Sequence, residues 1–158
     1  MSLSPATLRA VHEALDDEYK ARATYRAVID AFGPVRPFVH IVEAEERHAR
    51  ALIALLRRHG AAVPDDPWPA RVPAPASIDA ACRAGVEAEI ENEAMYARLL
   101  AQIDAPDAVR IMRRLQAASR DNHLPAFRRC LAREHDGKGP QDGKGRKVGR
   151  RHRWRGGG

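Results

Sequence analysis

Several features that define common classes of protein are scarce in this sequence of 158 residues. The two cysteines, Cys82 and Cys130, are too few for a disulfide scaffold and lack the C-x-x-C spacing of zinc and thiol-redox motifs. We expect them to be small buried side chains with reduced thiols. No apolar run approaches the roughly 20 residues of a membrane span, and the N-terminal residues lack the apolar stretch of a signal peptide. These absences favour a cytoplasmic protein that makes no membrane contact.

An excess of positive charge is also missing from most of the chain. Residues 1–135 carry 19 basic and 19 acidic side chains, whereas residues 136–158 carry eight basic and two acidic ones, which is the whole formal net charge of +6. Eight of the eleven glycines lie in this last segment as well. We therefore predict one folded domain over residues 1–135 and a disordered Gly/Arg/Lys-rich basic tail over residues 136–158.

Glycine and proline divide the domain into four predicted helices. Ser4 is a suitable N-cap with proline directly after it, and Gly33 and Gly60 each stand where a long periodic segment ends. Ser77 is the expected N-cap of the third helix. The predicted helices cover residues 5–32, 36–59, 77–104 and 107–134.

The lengths of the connections predict how these helices are arranged. A helix of 24 residues is about 36 Å long, and the 17 proline-rich residues 60–76 can span about 50 Å. This connection can therefore cross the bundle, while the other two are so short that their helices must form antiparallel hairpins. The predicted fold is all-α, a ferritin-like four-helix bundle of two antiparallel hairpins joined by a long crossover.

Each predicted helix has an apolar face that polar residues interrupt near the middle. On the first helix, the alternating three- and four-residue spacing of apolar side chains passes through Glu18 and Arg22. The interrupting residues on the other three helices are Glu45, His48, Glu89, Glu93 and His123.

An internal repeat places these residues at one depth. Glu18 and Glu89 correspond at an offset of 71 residues, and His48 and His123 at an offset of 75. Since Cys82 and Cys130 lie seven residues from Glu89 and His123 on antiparallel helices, both should be about 10 Å from this polar layer and near each other.

Buried carboxylates are unfavourable unless a positive charge neutralises them, and Arg22 alone does not balance these glutamates. A metal ion would, and carboxylates combined with imidazoles suit iron or manganese. The candidate metal ligands are Glu18, Glu45, His48, Glu89 and His123.

Structural alternatives exist for each candidate. Glu18 could pair with Arg22 one turn away, the E-x-x-H pair of the second helix could face solvent, and His123 could be a hydrogen-bonded core histidine. Tyr25 and Tyr96 could either bond to the ligand carboxylates or simply pack in the core.

Three motifs carry a resemblance to known groups of proteins. The sequences E-x-x-A-R-x-x-Y at residues 18–25 and E-E-R-H-A at residues 45–49 resemble the first-hairpin motifs of rubrerythrin-type ferritin-like diiron proteins. The sequence A-S-R-D-N-H-L-P-A-F at residues 118–127 more specifically resembles the fourth helix of the ferritin-like family called domain of unknown function 2202. The resemblance implies a non-haem iron site that reacts with dioxygen or peroxide, with the ligands Glu18, Glu45, His48 and Glu89.

The fourth helix departs from the rubrerythrin-like pattern. That pattern has a second Glu-x-x-His, but Arg120 stands three residues before His123. We therefore expect one tight metal position and one weak or absent one, the latter formed by His123, a share of Glu89 and the spare acid Glu93. Pro125 should kink the helix beside the site.

Three hypotheses about function follow. In the first, the chain is a ferritin-like metalloprotein and oxidoreductase that binds one or two iron ions, or manganese, and oxidises Fe(II) or reduces peroxide, with a homo-oligomer as its assembly. In the second, it is a non-catalytic scaffold whose basic tail contacts nucleic acid or another polyanion. In the third, it is a metal-free remnant in which Arg22 and Arg120 neutralise the acids.

Overall fold

A computed structural model describes residues 2–137, and this part of the chain consists of helices, turns and loops without a strand. The helices are α1 (Pro5–Phe32), α2 (Phe38–Arg58), α3 (Ile78–Leu100), α4 (Pro106–Ala118) and α5 (Leu124–Gly137). A π-helical segment, Ser119–His123, joins α4 to α5 without a break. We call α4, the π segment and α5 together the composite fourth helix. The predicted all-α four-helix bundle is confirmed.

The helix ends follow the capping residues. The Ser4 hydroxyl accepts a hydrogen bond from the Thr7 backbone N–H at 3.2 Å, and the Ser77 hydroxyl accepts one from Ala80 at 3.1 Å. Gly33 ends α1 in the left-handed region, at φ +85°. Three ends differ from prediction by two residues or more: α2 begins two residues late, after Pro37, α3 ends at Leu100 rather than at residue 104, and α5 ends at Gly137 rather than at residue 134.

The crossover, the proline-rich connection between α2 and α3, lies along α1. The crossover is long enough to do so. Near its start, the Pro64 carbonyl accepts a hydrogen bond from the Tyr19 hydroxyl at 3.2 Å. Further along, the indole N–H of Trp68 donates to Asp16 at 2.9 Å. These contacts hold the long connection against the first hairpin before it enters α3.

Two apolar clusters fill the bundle, one toward each end. The first includes Val11, Leu15, Leu52, Leu55 and Met112, and the second includes Tyr25, Phe38, Cys82, Phe127 and Cys130. Along each helix, the buried charged residues fall between members of these clusters. The polar layer therefore has apolar packing above and below it.

Cys82 and Cys130 join α3 to α5. Their Cα atoms are 5.8 Å apart, which confirms the predicted proximity and the register of these helices. The two sulfur atoms form a disulfide, so the expectation of two reduced thiols is wrong. The spacing rule that we applied identifies local motifs, whereas this pair is 48 residues apart in sequence and is brought together by the packing of α3 and α5.

Reduction of this disulfide is expected to lower the free energy of unfolding by about 4 kcal/mol, the chain-entropy estimate for a closed loop of this length. Urea unfolding with and without a phosphine reductant measures the effect. The double variant Cys82→Ala/Cys130→Ala is the control, since its unfolding midpoint should not respond to reductant. An unchanged midpoint for the natural sequence would mean that the bond does not form in solution.

The predicted tail lies almost entirely outside the described residues. Its first two positions, Asp136 and Gly137, are instead exposed residues of the last turn of α5. Within residues 2–137, no helix is long and apolar enough to cross a membrane.

Candidate metal centre

The four helices of the bundle place the five predicted ligands in one layer of the core, where four of them are buried and His48 is partly buried. Glu18 comes from α1, Glu45 and His48 from α2, Glu89 from α3 and His123 from the π segment. The exposed fractions of Glu18, Glu45 and Glu89 are 1%, 3% and 3%. Three carboxylates at this depth are unusual in a protein core, where ionised acids are found paired or bound to metals.

The five side chains form two groups that share one residue. Glu18, Glu45 and His48 make the first group, and Glu45, Glu89 and His123 make the second. In each group, one ligand atom per residue lies within 4.8 Å of the others. Each group therefore offers two carboxylates and one imidazole nitrogen, a donor set suited to iron or manganese.

Glu45 lies between the two groups and presents a different oxygen to each histidine. His48 Nδ1 is 3.3 Å from Glu45 Oε2, and His123 Nδ1 is 3.2 Å from Glu45 Oε1. The outer carboxylates complete the arrangement, with His48 Nδ1 3.4 Å from Glu18 Oε2 and His123 Nδ1 3.4 Å from Glu89 Oε1. The imidazole rings are stacked, with centroids 5.5 Å apart.

This grouping corrects the expectation that Glu89 contributes to both metal positions. Glu89 lies with His123, and the shared carboxylate is Glu45, because α2 is placed so that its carboxylate reaches both histidines. The residue at the repeat offset of 75 from Glu45 is Arg120. What the composite fourth helix lacks is therefore a second shared carboxylate, and each group has one carboxylate of its own beside the shared Glu45.

Two buried tyrosines orient the outer carboxylates across the hairpins. The Tyr96 hydroxyl of α3 donates to Glu18 Oε1 at 2.5 Å, and the Tyr25 hydroxyl of α1 donates to Glu89 Oε1 at 3.0 Å. Each tyrosine thus holds the acid of the other hairpin, which decides between the two roles that the sequence left open. Bonds of this kind fix the geometry of a ligand residue from outside its donor atoms.

The electrostatics of the layer favour bound protons when no metal is present. Burial, together with the nearby charge of Glu45, raises the pKa of Glu18 to about 8. Burial lowers the pKa of each histidine, but the adjacent carboxylates outweigh it and raise the pKa of His48 to about 9 and that of His123 to about 10.

Two ligand atoms lack a hydrogen bond of good geometry. Glu18 Oε2 and His123 Nδ1 are fully enclosed, and although charged neighbours lie within 3.4 Å, neither atom makes a hydrogen bond to the described residues. An unpartnered buried oxygen or nitrogen costs stability unless something else binds it. A cation between the side chains of each group would satisfy both atoms, so the residues present fit a metal.

The two arginines do not neutralise the glutamates, although the hypothesis of a metal-free remnant assumed that they do. Arg22 bonds to Glu46 at 2.5 Å and to Asp66 of the crossover at 2.8 Å, and does not pair with Glu18. Arg120 is exposed and bonds to its neighbour Asp121. The seven-residue pattern misplaced Arg22, since its long side chain reaches the edge of the bundle.

Glu93 is not a member of either group. The buried residue at this height of α3 is Asn92, which donates to Asp17 at 2.6 Å and accepts from the Ser119 hydroxyl at 2.5 Å. Burial raises the pKa of Asp17 to about 6. The sequence pattern did not reveal Asp17 or Asn92, because Asn92 and Glu93 follow Glu89 by three and four residues and the helical spacing allows either to face the interior.

The kink expected at Pro125 takes the form of the π segment. Proline has no N–H for the Asp121 carbonyl, and the preceding Leu124 N–H bonds to Ser119 O, five residues back. The wider turn buries Ser119 and His123 and leaves Arg120 exposed. The π segment therefore turns the histidine into the polar layer and the arginine out of it.

Comparison with solved structures identifies the architecture. The chain is similar to a hypothetical protein of Methanococcus jannaschii, with a TM-score of 0.74, 22% identity and coverage of 85% of each chain. It is also similar to the bacterioferritin BfrA of Mycobacterium tuberculosis, with a TM-score of 0.72, 15% identity and coverage of 86% of this chain and 90% of that one. A conserved hypothetical protein of Mycobacterium tuberculosis has a TM-score of 0.67 and 16% identity, with coverage of 80% of this chain and 91% of that one.

The chain has the ferritin-like four-helix bundle fold. No protein-family model matches the sequence, and no curated protein does. At the identities above, the likeness establishes the fold alone, and the resemblance of residues 118–127 to domain of unknown function 2202 stays a prediction.

Proposed function

We propose that the chain is a dinuclear metalloprotein that binds two metal ions. Iron is the metal that we propose, and manganese is the alternative. The observation that carries this proposal is the pair of Glu-Glu-His groups that share Glu45. In our proposal, Glu18 and His48 hold one ion, Glu89 and His123 hold the other, and the two oxygens of Glu45 bind both. Two cations in this layer would neutralise acids that the arginines leave uncompensated.

The proposed activity is redox chemistry at this centre, either oxidation of Fe(II) or reduction of peroxide. Bound iron would supply the electron transfer to dioxygen or peroxide. Glu45 would serve both ions, Tyr25 and Tyr96 would orient the outer carboxylates, and the apolar clusters would enclose the layer from above and below. Cytoplasmic location, assembly into a homo-oligomer and polyanion binding by the tail are further proposals.

The activity can be tested with protein loaded with Fe(II) without oxygen and then mixed with either hydrogen peroxide or dioxygen. Formation of Fe(III) is followed by its near-ultraviolet absorbance. We expect oxidation at least about tenfold faster than that of free Fe(II) in the same buffer, since prearranged sites bring the reacting ions together. With peroxide, two Fe(II) should be consumed for each peroxide reduced to water.

The matched variants are Glu45→Ala, which removes the shared ligand, and Glu43→Ala, which removes an exposed acid of the same helix. Glu43→Ala should oxidise iron at the rate of the natural sequence. Equal rates for the natural sequence, Glu45→Ala and free iron would overturn the proposed activity.

A further inference from the structure

A cavity of about 240 Å³ leads from the surface to the polar layer. It lies between α1 and α3, with residues 73–75 of the crossover as a third wall. Its inner end is formed by Glu45 and Glu89, and exposed Ala84 and Ala88 lie at its outer part. The cavity therefore connects solvent with the carboxylates of the second group.

The wall of the cavity is mainly apolar. α3 contributes small residues to the lining, among them Ala81 and Gly85, and α1 and α2 contribute the aromatic rings of Tyr25 and Phe38. A lining of small side chains and aromatic rings suits a flat apolar body.

The volume is much larger than dioxygen, peroxide or a metal ion requires. An apolar cavity of about 150 Å³ holds benzene, so about 240 Å³ corresponds by proportion to a molecule of roughly ten non-hydrogen atoms. Passage of the small oxidants alone does not account for a space of this size beside the carboxylates.

The charges around the cavity select against anions. Its lining includes four acids, Asp17, Glu45, Glu89 and Glu91, and a single base, Lys20. The Lys20 ammonium is 5.4 Å from the centre of the Trp68 ring, so part of its charge is directed to the crossover. Carboxylate oxygens at the inner end accept hydrogen bonds, which favours an occupant that has an N–H or O–H donor.

We propose that this cavity binds a small neutral aromatic molecule that carries one N–H or O–H group, of the size of indole or phenol. The ring lies between the small residues of α3 and Tyr25 and Phe38, and its donor points toward Glu89. This binding site goes beyond the proposed redox function, and it needs no bound metal, so the two proposals can fail separately.

Indole is the probe, and calorimetric titration of the full-length chain measures its binding. We expect one saturable site per chain. Ala84→Phe and Ala88→Phe place a ring in the outer part of the cavity and should weaken indole binding by about tenfold or more. Ala97→Phe is the matched control, because Ala97 is an exposed alanine of α3 away from the cavity. The affinity of this variant for indole should stay within about twofold of that of the natural sequence.

A second titration uses indole-3-acetate, which adds a negative charge to the same ring. The acidic lining should weaken its binding by at least about tenfold relative to indole. The proposal is overturned if indole shows no saturable binding, if the filled-cavity variants bind it as well as Ala97→Phe does, or if the anion binds equally well. Melting temperatures of the three variants check that each has folded, which their exposed positions favour.

Discussion

Replacement of Glu45 with alanine is expected to abolish binding of both metal ions. Glu45 is the residue common to the two groups, with one oxygen beside His48 and the other beside His123. Its loss leaves each group with one carboxylate and one imidazole, and we expect the apparent affinity for Fe(II) to fall by more than about 100-fold at both positions. Anaerobic titration with Fe(II), followed by metal analysis of the desalted protein, measures this loss.

The outer ligands should behave differently. His48→Ala is expected to remove the ion beside Glu18, and His123→Ala the ion beside Glu89, so each variant should keep about one ion per chain. Glu43→Ala should bind as the natural sequence does, because this exposed acid belongs to neither group. Retention of both ions by Glu45→Ala would show that the shared carboxylate has been assigned to the wrong residue.

Metal binding is expected to strengthen steeply as pH rises, because the ions must displace protons. In the metal-free chain, the pKa of Glu18 is about 8, that of His48 about 9 and that of His123 about 10. All three groups hold a proton at pH 7, and all three must lose it to bind a metal. Loading should therefore release about three protons, and the apparent affinity of the pair of sites should rise by up to about tenfold per pH unit for each proton.

The metal-free chain should show the opposite trend in stability. The folded pKa of each of these three groups lies above its unfolded value of 4.5 for glutamate and 6.5 for histidine. Their contribution to stability is fully present below the unfolded pKa and is lost as pH rises through the folded pKa. It should therefore fall from about pH 4.5 to about pH 10, and most steeply between about pH 6.5 and 8, where all three groups contribute. Within this window, each extra proton that the folded state holds lowers the free energy of unfolding by about 1.4 kcal/mol for every unit of rising pH.

Thermal unfolding of the chelator-treated protein from pH 6.5 to 9 checks the stability trend. Proton release into weakly buffered solution during metal loading checks the number of protons that the metal ions displace. Metal-loaded protein is the control for stability, since its ligands carry no protons to lose across this range. A pH-independent metal affinity, or a metal-free chain that becomes more stable from pH 6.5 to 9, would contradict the assigned protonation of the layer.

The parts of the fold that depend on local chemistry could be predicted from the sequence. Ser4 and Ser77 accept backbone bonds from residues three positions later, and Gly33 adopts a conformation that other residues avoid, so these boundaries follow from the residues themselves. The five candidate ligands were also identifiable, because a charged residue in the middle of an apolar helix face contradicts the pattern around it.

Features that depend on how the helices rotate and pack could not be predicted in this way. Asn92 and Glu93 are adjacent, and a seven-residue pattern does not decide which one faces the interior, because 3.6 residues per turn shifts the buried face along the helix. The partners of Arg22 are 24 and 44 residues away in sequence, on α2 and the crossover. Neither contact has a local motif that would reveal it.

The π segment shows a third limit. Pro125 predicted a disturbance of the composite fourth helix, but a kink and a π turn have different effects on the side chains that precede the proline. The π turn buries Ser119 and His123 while Arg120 bonds to Asp121 at the surface. Arg120 is therefore a surface residue, whereas His123 lies in the polar layer as predicted.

A crystal structure of protein loaded with Fe(II) without oxygen, with anomalous diffraction at the iron edge, tests the central claim most directly. The proposal predicts two iron peaks of similar height, one beside His48 Nδ1 and one beside His123 Nδ1, with Glu45 in contact with both. No iron peak in this layer, or a single one that Glu45 does not contact, would contradict it.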